Sequence, residues 1–492
     1  MKTLNQLLHK TSGINLTGDG HVEVQDLSID SRSSGSGFLY AAMPGTRVDG
    51  HSFLEQVAQA GVSAVLVNEG WDDLKAFAEQ HPQVAILSCS DVPEALGHLA
   101  LNFFDRAAET LVIVGVTGTN GKTSVCTLLF DLFSRMGFDC GLVSTVENRI
   151  RERVLKSTHT TPNVVGLHRL FAEMVEDGCT HCFMEVSSHA ADQNRIAAVP
   201  FAGGVFTNIT HDHLDYHKTF DAYIKAKKSF FDRLPASAFA LTNRDDKNGS
   251  VMLQNTKAMR YTFAMNTTAD FRVKIMEHDL GGMLLQIQGQ ELWTPLVGAF
   301  NASNLLAVYA TAFLLTQGEE EVLPALSALP RVNGRFEAIQ GPNNITAIVD
   351  YAHTPDALLN VIKTINDIRK RGVNLISVLG CGGDRDREKR PEMARIAVEG
   401  SDRAVFTSDN PRSEDPNAII ADMAAGVPAQ HYKKMLQVLD RKEAIKTALL
   451  LAQPGDVVLV AGKGHETYQE IQGVRHEFDD KAVLRELFQL LF

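Results

Sequence analysis

A short apolar run, a glycine-rich turn and an amphipathic stretch follow one another in residues 111–133, LVIVGVTGTNGKTSVCTLLFDLF. The pattern predicts a strand over residues 111–114 and then a helix whose apolar positions 125, 128, 129, 132 and 133 share one buried face. A helix that begins directly after such a turn points its backbone N–H groups and the positive end of its dipole at the turn. The segment therefore predicts an α/β fold with an anion site at this junction.

The residues of the turn indicate which anion binds there. Backbone amides of residues 118–122 would surround phosphates, Lys122 would supply a positive charge, and the hydroxyl of Thr123 would ligate Mg²⁺. Val116 occupies the position of the first glycine in the common phosphate-loop pattern. Because strand, TGTNGKT turn and amphipathic helix occur together, we interpret the segment as a nucleoside-triphosphate site.

Length and composition limit the number of domains and the classes of function. At about 100–200 residues per domain, 492 residues suffice for three domains with a core each. We predict these domains over residues 1–107, 108–331 and 332–492. The hydrophobic fraction of 44% and the charged fraction of 22% are typical of a globular protein. The net charge of −12 argues against non-specific nucleic-acid binding.

The sequence also predicts the compartment. No run approaches the roughly 18 uninterrupted apolar residues of a membrane span, and MKTLNQLLHKTSGINL lacks the apolar core and cleavage site of a secretory signal. Six scattered cysteines make no disulfide framework, so we expect a cytoplasmic protein. Cys179 and Cys182 form a single C-x-x-C pair without a second ligand pair, which favours half-buried structural cysteines over a metal or redox site.

Four apolar runs in the last third of the chain each end in a polar loop. Strands that alternate with helices form parallel sheets, and ligands bind at the carboxyl ends of such strands. We therefore expect one rim of a sheet to carry the loops 350–353, 381–385, 409–412 and 462–466. Most charges of residues 384–390 fit a solvated run, whereas Arg385 directly follows a glycine turn and should face the rim.

A second group of polar residues lies in the central third. Glu185 follows a buried strand in CFMEVSSH, and GVFTNITHDHLDYH places His211, Asp212, His213 and Asp215 after another. A glutamate and a histidine at neighbouring strand ends, beside a phosphate-loop threonine, would hold Mg²⁺. Histidines alone are more often ordinary polar loop residues. The helix that follows, however, supports the interpretation as a metal site.

That helix, residues 220–231, carries a lysine within its apolar stripe. At about 100° per residue, Lys227 lies near the centre of the stripe and Lys225 lies opposite it. An ammonium group in that place is costly unless it is paired or chemically altered. On spacing alone, a lysine whose head group reaches out to water is the simpler interpretation.

Taken together, these residues resemble the Mur ligases, ATP-dependent amide-forming enzymes of bacterial cell-wall synthesis. The similarity covers essentially the whole chain, in order, through TGTNGKT (117–123), EVSSH (185–189), DHLDYH (212–217), NASN (301–304), NGR (333–335) and DYAH (350–353). It implies three α/β domains: a smaller N-terminal domain that binds UDP, a central phosphate-loop ATPase domain with a mainly parallel sheet, and a C-terminal Rossmann-like domain that binds an amino acid.

The resemblance also assigns roles to residues of the central site. Nucleotide binding falls to Gly118, Thr119, Asn120, Gly121, Lys122, Thr123, Ser124, Asn304, Arg335, Asp350 and His353. The family carbamylates the lysine that matches Lys227 with CO₂, which turns a buried cation into an anion. Mg²⁺ ligands are then Thr123, Glu185, His213 and carbamylated Lys227, and the catalytic residues are Lys122, Glu185, His213 and Lys227.

Two further sets of residues match substrate contacts of the family. The UDP-linked substrate is expected at Ile29, Ser31, His159, Thr160, Thr161, Ser187, Gln193 and Arg195; the family has asparagine at the position of His159. DNPR (409–412) with GKGHE (462–466) resembles the members that add meso-diaminopimelate. This amino acid is expected at Arg385, Asp409, Asn410, Pro411, Arg412, Gly462 and Glu466. The planar fork of Arg412 suits a second carboxylate, with a surface salt bridge as the alternative.

The implied reaction joins meso-diaminopimelate to a UDP-linked muramoyl dipeptide through an acyl phosphate, as a step in peptidoglycan precursor synthesis. Three alternatives stay open: a lysine-adding ligase, a folate–glutamate ligase and a non-catalytic structural homologue. The DNPR motif and Asp30-Ser-Arg32 argue against folate, and the intact phosphate and metal residues argue against a scaffold. Only small-molecule partners are expected, with no nucleic acid, no membrane span and a monomeric chain.

Overall fold

The predicted unit of strand, glycine turn and helix is present in the computed structural model of the protein. The structure describes residues 1–45, 48–157, 159–316 and 319–492. The strand runs over Val112–Thr117, later than the predicted 111–114, because its pairing with a neighbouring strand continues to Thr117. The helix runs over Lys122–Arg135, and its positions 125, 128, 129, 132 and 133 are fully buried, as predicted.

The N-terminal domain is a small mixed sheet flanked by helices. Its strands are β1 Lys2–Thr3, β2 Ile14–Thr17, β3 Glu23–Val24, β4 Asp26–Ser28, β5 Phe38–Ala41, β6 Ala64–Asn68 and β7 Ala85–Cys89; its helices are α1 Leu4–Leu7, α2 Leu54–Gln59, α3 Leu74–Gln80 and α4 Val92–Phe103, with a 3₁₀ turn at Gly50–Phe53. Five strands form one sheet in the order β2-β7-β6-β5-β4, parallel except for β2, and β1 pairs with β3. Strands β6 and β7 coincide with the apolar runs 64–67 and 84–87 of the sequence.

The central domain is built on an eleven-stranded sheet. Its strands are β8 Val112–Thr117, β9 Cys140–Val143, β10 Glu147–Ile150, β11 Arg153–Lys156, β12 His181–Glu185, β13 Phe201–Phe206, β14 Phe239–Asn243, β15 Met259–Ala264, β16 Phe271–His278, β17 Met283–Ile287 and β18 Gln290–Thr294. Its helices are α5 Lys122–Arg135, α6 Val164–Glu176, α7 Ser188–Asp192, α8 Leu214–His217, α9 Phe220–Asp232, α10 Gly249–Met252, α11 Ala299–Thr316 and α12 Glu319–Ser327, preceded by a 3₁₀ turn at Ala107–Thr110.

The strand order of this sheet brings the predicted loops together. The order is β11-β10-β9-β12-β8-β13-β14-β15-β16-β17-β18. Within it, the seven neighbouring strands β9-β12-β8-β13-β14-β15-β16 are parallel. Strands β9, β12, β8 and β13 are therefore neighbours with their carboxyl ends at one edge. The phosphate loop follows β8, residues 211–215 follow β13, and Glu185 is the last residue of β12.

Helix α11 has the length and composition of a membrane span, with 18 residues and a mean hydropathy of 1.3. However, 61% of it is buried inside the protein. It packs against α5 and against strands β14–β16, and its apolar side chains are part of the core of the central domain. A buried core helix of a soluble domain has the same length and composition.

The C-terminal domain has a six-stranded sheet. Its strands are β19 Glu337–Gln340, β20 Thr346–Asp350, β21 Leu375–Leu379, β22 Arg403–Phe406, β23 Met435–Gln437, β24 Val457–Ala461, β25 Tyr468–Ile471 and β26 Val474–Glu477; its helices are α13 Pro355–Ile368, α14 Lys389–Gly400, α15 Pro416–Ala425, α16 Arg441–Leu451 and α17 Asp480–Leu491, with 3₁₀ turns at Pro342–Asn344 and Ala429–Lys434. The sheet order is β19-β20-β24-β21-β22-β23, parallel except for β19, and β25 pairs with β26 as a separate hairpin. The four predicted strands are β20, β24, β21 and β22, which are adjacent, so their polar loops share one rim as expected.

Candidate functional site

The phosphate loop, residues 118–121, is held by hydrogen bonds to the segment after β13. The amide of Thr119 donates to the carbonyl of Asn208 at 2.8 Å, and the amide of Asn120 donates to Asn208 Oδ1 at 2.9 Å. Gly121 has a φ of 89°, and a Cβ there would lie 2.5 Å from Asn304 Oδ1. Glycine is needed at this position because it alone adopts that backbone freely and leaves room for Asn304. Ser124, one turn into α5, is buried.

Two lysines meet at one carbonyl of this loop. The Nζ atoms of Lys122 and Lys227 each donate to the Gly118 carbonyl at 2.8 Å, and Lys122 also donates to the Thr119 carbonyl at 2.9 Å. Lys227 is 1% exposed, so the simpler interpretation of a head group in water is wrong. Burial, reinforced by the neighbouring Lys122, holds the pKa of Lys227 well below its usual range. The pKa of Lys122 is also lowered, chiefly by burial.

Glu185 is the junction of the site and is fully buried. Its Oε1 accepts hydrogen bonds from Thr123 Oγ1 at 2.9 Å and from the amide of Thr145 at 2.8 Å, and its Oε2 accepts one from Thr145 Oγ1 at 3.2 Å. The hydroxyl of Thr123 in turn accepts from Arg335 Nη2 at 3.1 Å. The sequence analysis did not single out Thr145, although it lies just beyond the carboxyl end of β9, where an apolar run gives way to the polar residues Ser144 and Thr145.

The predicted metal ligands are only partly brought together. Thr123 and Glu185 are in direct contact, whereas Lys227 contacts Gly118. His213 begins α8 with a left-handed φ of 55°, with its Nε2 3.4 Å from Asp212 Oδ2. Burial lowers the pKa of His213 to about 3. Within the described ranges, no group of three His, Cys, Asp or Glu side chains is arranged to hold a metal ion.

Five of the eight residues expected to bind the UDP-linked substrate lie around Glu185. Thr145 Oγ1 donates to Thr160 Oγ1 at 3.0 Å, and Thr161 Oγ1 donates to the Glu185 carbonyl at 2.8 Å. The guanidinium of Arg195 donates to the Thr161 carbonyl and to Gln193 Oε1 at 3.1 and 2.6 Å. Ser187 caps the start of α7 through its side chain, 3.5 Å from Thr161 Oγ1.

Of the other three residues of that set, two lie in the N-terminal domain, and His159 directly precedes Thr160. Ile29 and Ser31 follow β4 in the N-terminal domain, where Ile29 packs against the apolar core. Next to Ser31, the guanidinium of Arg32 pairs with Asp30 and lowers the pKa of that carboxyl to about 2. The carbonyl of His159 accepts from Ser157 Oγ at 2.9 Å.

Residues of the C-terminal domain close over the phosphate loop. Asn120 Nδ2 donates to Asp356 Oδ2 at 2.9 Å. The guanidinium of Arg335, besides its bond to Thr123, lies 4.6 Å from the ring centre of Tyr351, and its Nε atom is buried without a hydrogen-bond partner in the described structure. These contacts of Asp356 and Arg335 join the phosphate loop and the start of α5 to the rim of the C-terminal domain.

Asp350 and His353 support that rim. The carboxylate of Asp350 accepts from the amides of Phe336 and Ala352, each at 2.7 Å, and thereby fixes the backbone next to Arg335. Burial raises the pKa of Asp350. His353 Nδ1 lies 2.9 Å from the Tyr351 carbonyl, and burial lowers the pKa of the imidazole to about 4. Both side chains therefore hold the loop in shape.

The predicted amino-acid residues meet at the rim of the C-terminal sheet. Asn410 Nδ2 donates to Glu466 Oε2 at 2.8 Å. Gly462 has a φ of 112°, and a Cβ there would lie 2.5 Å from Asp409 Oδ2, so glycine is needed for the two loops to approach. Lys463, which lies within the GKGHE motif but was not assigned a role, is fully buried among these residues.

The two predicted carboxylate-binding arginines flank the glycine turn after β21. Arg412 follows the buried Pro411, has a φ of 51° and donates from Nη1 to the Gly383 carbonyl at 2.7 Å. Arg385 is exposed and donates to the Asp384 carbonyl at 3.0 Å. A Cβ on Gly382 would lie 3.0 Å from Arg412 Nη1 and 3.9 Å from Arg385 Cγ, which places both side chains beside one turn.

Two expectations need correction. Arg390 ends the presumed solvated run but is fully buried, with its guanidinium paired to Glu414 and Asp422 at 2.8 Å each. Periodicity could not reveal this because both partners lie more than twenty residues away. Cys179 and Cys182 are 6% and 0% exposed, fully rather than half buried, and burial raises the pKa of both thiols.

Comparison with known proteins places these features in a family. Residues 116–312 match the model of the Mur ligase middle domain, residues 334–464 that of the Mur ligase glutamate ligase domain, and residues 23–104 that of the Mur ligase family catalytic domain. The chain is 53% identical over 489 residues to the UDP-N-acetylmuramoyl-L-alanyl-D-glutamate–2,6-diaminopimelate ligase of Cytophaga hutchinsonii, covering 99% of both chains. It is 49% identical over 485 residues to the ligase of the same name from Bacteroides thetaiotaomicron, again covering 99% of both. A solved structure of a ligase of that name matches with a TM-score of 0.69 at 31% identity, over 99% of both chains.

Proposed function

The chain belongs to the Mur ligase family, and we propose that it joins meso-2,6-diaminopimelate to UDP-N-acetylmuramoyl-L-alanyl-D-glutamate with consumption of ATP. The observation that carries this proposal is the position of Glu185, which contacts Thr123 of the phosphate loop through its side chain and Thr161 through its carbonyl. A single residue thus adjoins the groups expected to bind ATP and the groups expected to bind the nucleotide-linked carboxylate.

The reaction needs activation because a carboxylate is a poor electrophile. The D-glutamyl γ-carboxylate attacks the γ-phosphorus of ATP, ADP leaves, and an acyl phosphate forms. The amino group of diaminopimelate then attacks the carbonyl carbon, and inorganic phosphate leaves through a tetrahedral intermediate. In this scheme the protein positions the groups and neutralises charge, as in other phosphoryl transfers.

Lys122 and Arg335 are the proposed cations at the phosphates. Lys122 already donates to a carbonyl of the phosphate loop, and Arg335 donates to the hydroxyl of Thr123, which follows that loop. When nucleotide enters, Lys122 would exchange its bonds to the Gly118 and Thr119 carbonyls for phosphate oxygens. The backbone N–H groups at the start of α5 point at the same place.

The donor set beside the phosphate loop fits Mg²⁺, which prefers oxygen ligands. The Thr123 hydroxyl and the Glu185 carboxylate are adjacent oxygen donors. When bound, Mg²⁺ would neutralise phosphate charge during phosphoryl transfer. We propose His213 and carbamylated Lys227 as further ligands. A fully buried lysine with a lowered pKa supports carbamylation, since only a neutral amine attacks CO₂ and the product is an oxygen donor.

The proposed substrate groups occupy two further surfaces. The side chains of Thr160, Thr161, Ser187, Gln193 and Arg195 would hold the muramoyl dipeptide beside Glu185, with the uridine part at Ile29 and Ser31. The amino acid would lie at the C-terminal rim, where Arg412 and Arg385 flank Gly382 and would bind its distal carboxylate. Lysine lacks this carboxylate and would leave these two cations without their expected partner. We further propose domains at 1–107, 108–331 and 332–492, a monomeric state and a cytoplasmic location.

A panel of amino acids tests the function most directly. Purified protein, the UDP-linked muramoyl dipeptide, ATP and Mg²⁺ should release phosphate and ADP with meso-diaminopimelate, and phosphate release should require both the carboxylate and the amine substrate. We expect kcat/KM for diaminopimelate to exceed that for L-lysine by at least about a hundredfold, since leaving a charged group unpaired costs several kcal/mol.

Arg412→Lys and Arg412→Ala are the matched variants for this panel. Both should lose most of the preference for diaminopimelate, while the KM values for ATP and for the UDP-linked substrate change little. Equal use of lysine by the wild type would contradict the substrate assignment. Unchanged preference in both variants would contradict the role of Arg412 alone.

A further inference from the structure

Five charged side chains, four of them buried and one half-buried at Glu466, lie together beneath the amino-acid rim. They are Asp409 from the loop after β22, Arg441 from α16, Lys463 and Glu466 from the loop after β24, and Asp480 from α17. Arg441, Lys463 and Asp480 are fully buried, and Asp409 is 7% exposed. Lys463 has no part in the sites assigned above, although it contacts two of the proposed amino-acid residues, Asn410 and Glu466.

The pairing within this cluster leaves one carboxylate without a matching cation. Arg441 forms a two-pronged pair with Asp480, from Nε and Nη2, each at 2.8 Å. Its remaining Nη1 lies 4.0 Å from Asp409 Oδ2. Lys463 Nζ lies 3.3 Å from Glu466 Oε2 and 3.9 Å from Asp409 Oδ1. Two cations therefore face three carboxylates, and because buried charges require partners, a cationic group of a ligand would complete the balance.

Lys463 also fixes the geometry of Glu466, the carboxylate with which it pairs. Its Nζ donates to Asn410 Oδ1 at 3.2 Å, and Asn410 Nδ2 donates to Glu466 Oε2 at 2.8 Å. The three side chains form a closed ring of hydrogen bonds. Because both described bonds to Glu466 reach Oε2, its Oε1 is left for a ligand. Asn410 is itself locked in this orientation, since its Oδ1 also accepts from the amide of Glu470 at 2.9 Å.

We propose that Lys463 is a positioning residue for the incoming amino acid, which keeps Glu466 ionised and oriented so that Glu466 and Asp409 together accept the ammonium group of the substrate that does not attack the acyl phosphate. The inference rests on the proposed function, because the ammonium belongs to diaminopimelate. Lys463 itself does not touch the substrate in this scheme, since its ammonium would repel a cationic ligand. It acts through Asn410 and Glu466.

The charges around Glu466 determine what the loss of Lys463 would do. Burial and the neighbouring Asp409 raise the pKa of Glu466, while Lys463 and Asn410 lower it. Arg441 also faces this carboxylate, as do the hydroxyls of Tyr351 and Tyr468. Without the Lys463 charge the pKa of Glu466 would rise further, so a larger fraction of the carboxyl would be protonated at a given pH. A protonated carboxyl binds an ammonium poorly.

A purely structural role makes a different prediction, so the two can be separated. Lys463 joins two loops and lies 5.6 Å from the ring centre of Tyr468, so its loss could also loosen the rim as a whole. A loosened rim would lower stability and impair all substrates alike, at every pH. A lost charge balance would affect the amino acid selectively and in a pH-dependent way.

Steady-state kinetics of Lys463→Met in the full-length enzyme test the proposal. We expect the KM for diaminopimelate to rise about tenfold to a hundredfold, the range for loss of hydrogen bonds to a charged group. The KM values for ATP and for the UDP-linked substrate should stay within about twofold of wild type. The ratio of the variant to the wild-type KM for diaminopimelate should fall as the pH is raised, because Glu466 regains its charge.

Three further variants sharpen the result. Lys463→Arg keeps the charge and should recover part of the loss. Lys463→Gln keeps a donor without the charge, should resemble Lys463→Met, and replaces it if the methionine variant does not fold. Lys442→Met is the matched control and should behave as wild type, since the Lys442 side chain on α16 is 42% exposed and paired with Glu486.

An unchanged KM for diaminopimelate, an equal rise in all three KM values, or a KM ratio independent of pH would overturn the inference. These outcomes leave the proposed function intact if the wild type still ligates diaminopimelate. A wild type that does not use diaminopimelate at all contradicts the proposed function and the inference together.

Discussion

At the scale of single residues, the chemistry of the site depends on two lysines that donate to the same backbone carbonyl. Lys122 and Lys227 both donate to the Gly118 carbonyl, and Lys227 is buried whereas Lys122 is half-buried. Two ammonium groups so close together in a region of low dielectric repel each other strongly. The arrangement favours a neutral amine at the deeper residue, Lys227, which is the form that CO₂ modifies.

Substitution of Lys227 tests whether the residue acts as an anion or as a cation. Lys227→Ala should lower kcat by about 10²–10³ or more, the usual loss on removal of one group that stabilises transition-state charge. Lys227→Arg should be equally inactive, because arginine keeps a positive charge but does not form the carbamate. Activity is measured as phosphate release, with folding checked by thermal melting. Short carboxylic acids added to Lys227→Ala should restore part of the activity by occupying the vacated place.

Lys225→Ala is the control for this series, since Lys225 lies on the same helix with its side chain 76% exposed and paired with Asp221. It should be fully active. An active Lys227→Arg would contradict the carbamate, and a fully active Lys227→Ala would remove Lys227 from the mechanism altogether.

At the scale of elements, helix α6 joins the central domain to the N-terminal domain. Its buried residues Val164 and Val165 belong to the apolar core of the N-terminal domain, and α4 packs against it. His168 lies in the middle of this contact, 1% exposed, with its Nε2 3.1 Å from the Ala197 carbonyl. Since a carbonyl only accepts, Nε2 carries a proton and donates.

The burial of His168 predicts a stability that falls in mild acid. Burial, aided by the nearby His98, lowers the pKa of His168 to about 4 from 6.5. Between these two pKa values the unfolded chain binds a proton at His168 that the folded chain excludes. The contribution of neutral His168 to the free energy of unfolding is therefore complete above about pH 6.5 and is lost as the pH falls towards 4. The loss amounts to roughly 3 kcal/mol at the lower limit. His168→Gln, whose side-chain amide still donates, should show a shallower decline in melting temperature between pH 7 and pH 4.5.

His21→Gln, at an exposed position of the N-terminal domain, is the control and should follow the wild-type pH dependence. The same decline in wild type and His168→Gln would show that His168 does not carry this pH sensitivity.

At the scale of the whole molecule, few polar contacts join the central and C-terminal domains at the nucleotide site. They include Asn120 with Asp356, Thr123 with Arg335, and His211 with Asp386, whose Nε2 and Oδ2 atoms are 3.4 Å apart. Interfaces of this polar kind permit relative domain motion. The contact of Asn120 with Asp356 links the phosphate loop directly to the first turn of α13.

Asp356→Ala should loosen the two domains in the absence of nucleotide. The change removes a charge-assisted hydrogen bond, worth about 1.5–3 kcal/mol. Amide hydrogen exchange should become faster in residues 118–121 and in the first turn of α13, and unchanged in the N-terminal domain. Asp367→Ala, an exposed carboxylate on the same helix, should leave the exchange pattern as in wild type. Equal exchange in Asp356→Ala and wild type would show that this bond does not hold the domains together.

The sequence by itself determined the features that depend on local periodicity. Strand β8, helix α5 and the four strands β20, β21, β22 and β24 were predictable because alternation, helical spacing and glycine turns act within a few residues. The place of Lys227 within an apolar stripe was visible in the same way, but spacing alone favoured a head group in water, and only the tertiary structure showed that the side chain is buried. Since adjacent parallel strands end at one edge, the gathering of the polar loops at a rim also followed from the pattern.

Tertiary structure alone decided which side chains meet. Arg390 reads as the end of a solvated charge run, yet Glu414 and Asp422 neutralise it in the interior. Thr145 reaches Glu185 because β9 lies beside β12, an order that local spacing does not encode. Lys463 is one charge among many in the sequence, and it gains its partners only where the loops after β22 and β24 meet. Contacts between residues far apart in the chain depend on the packing of whole elements, and no periodicity along the chain records that packing.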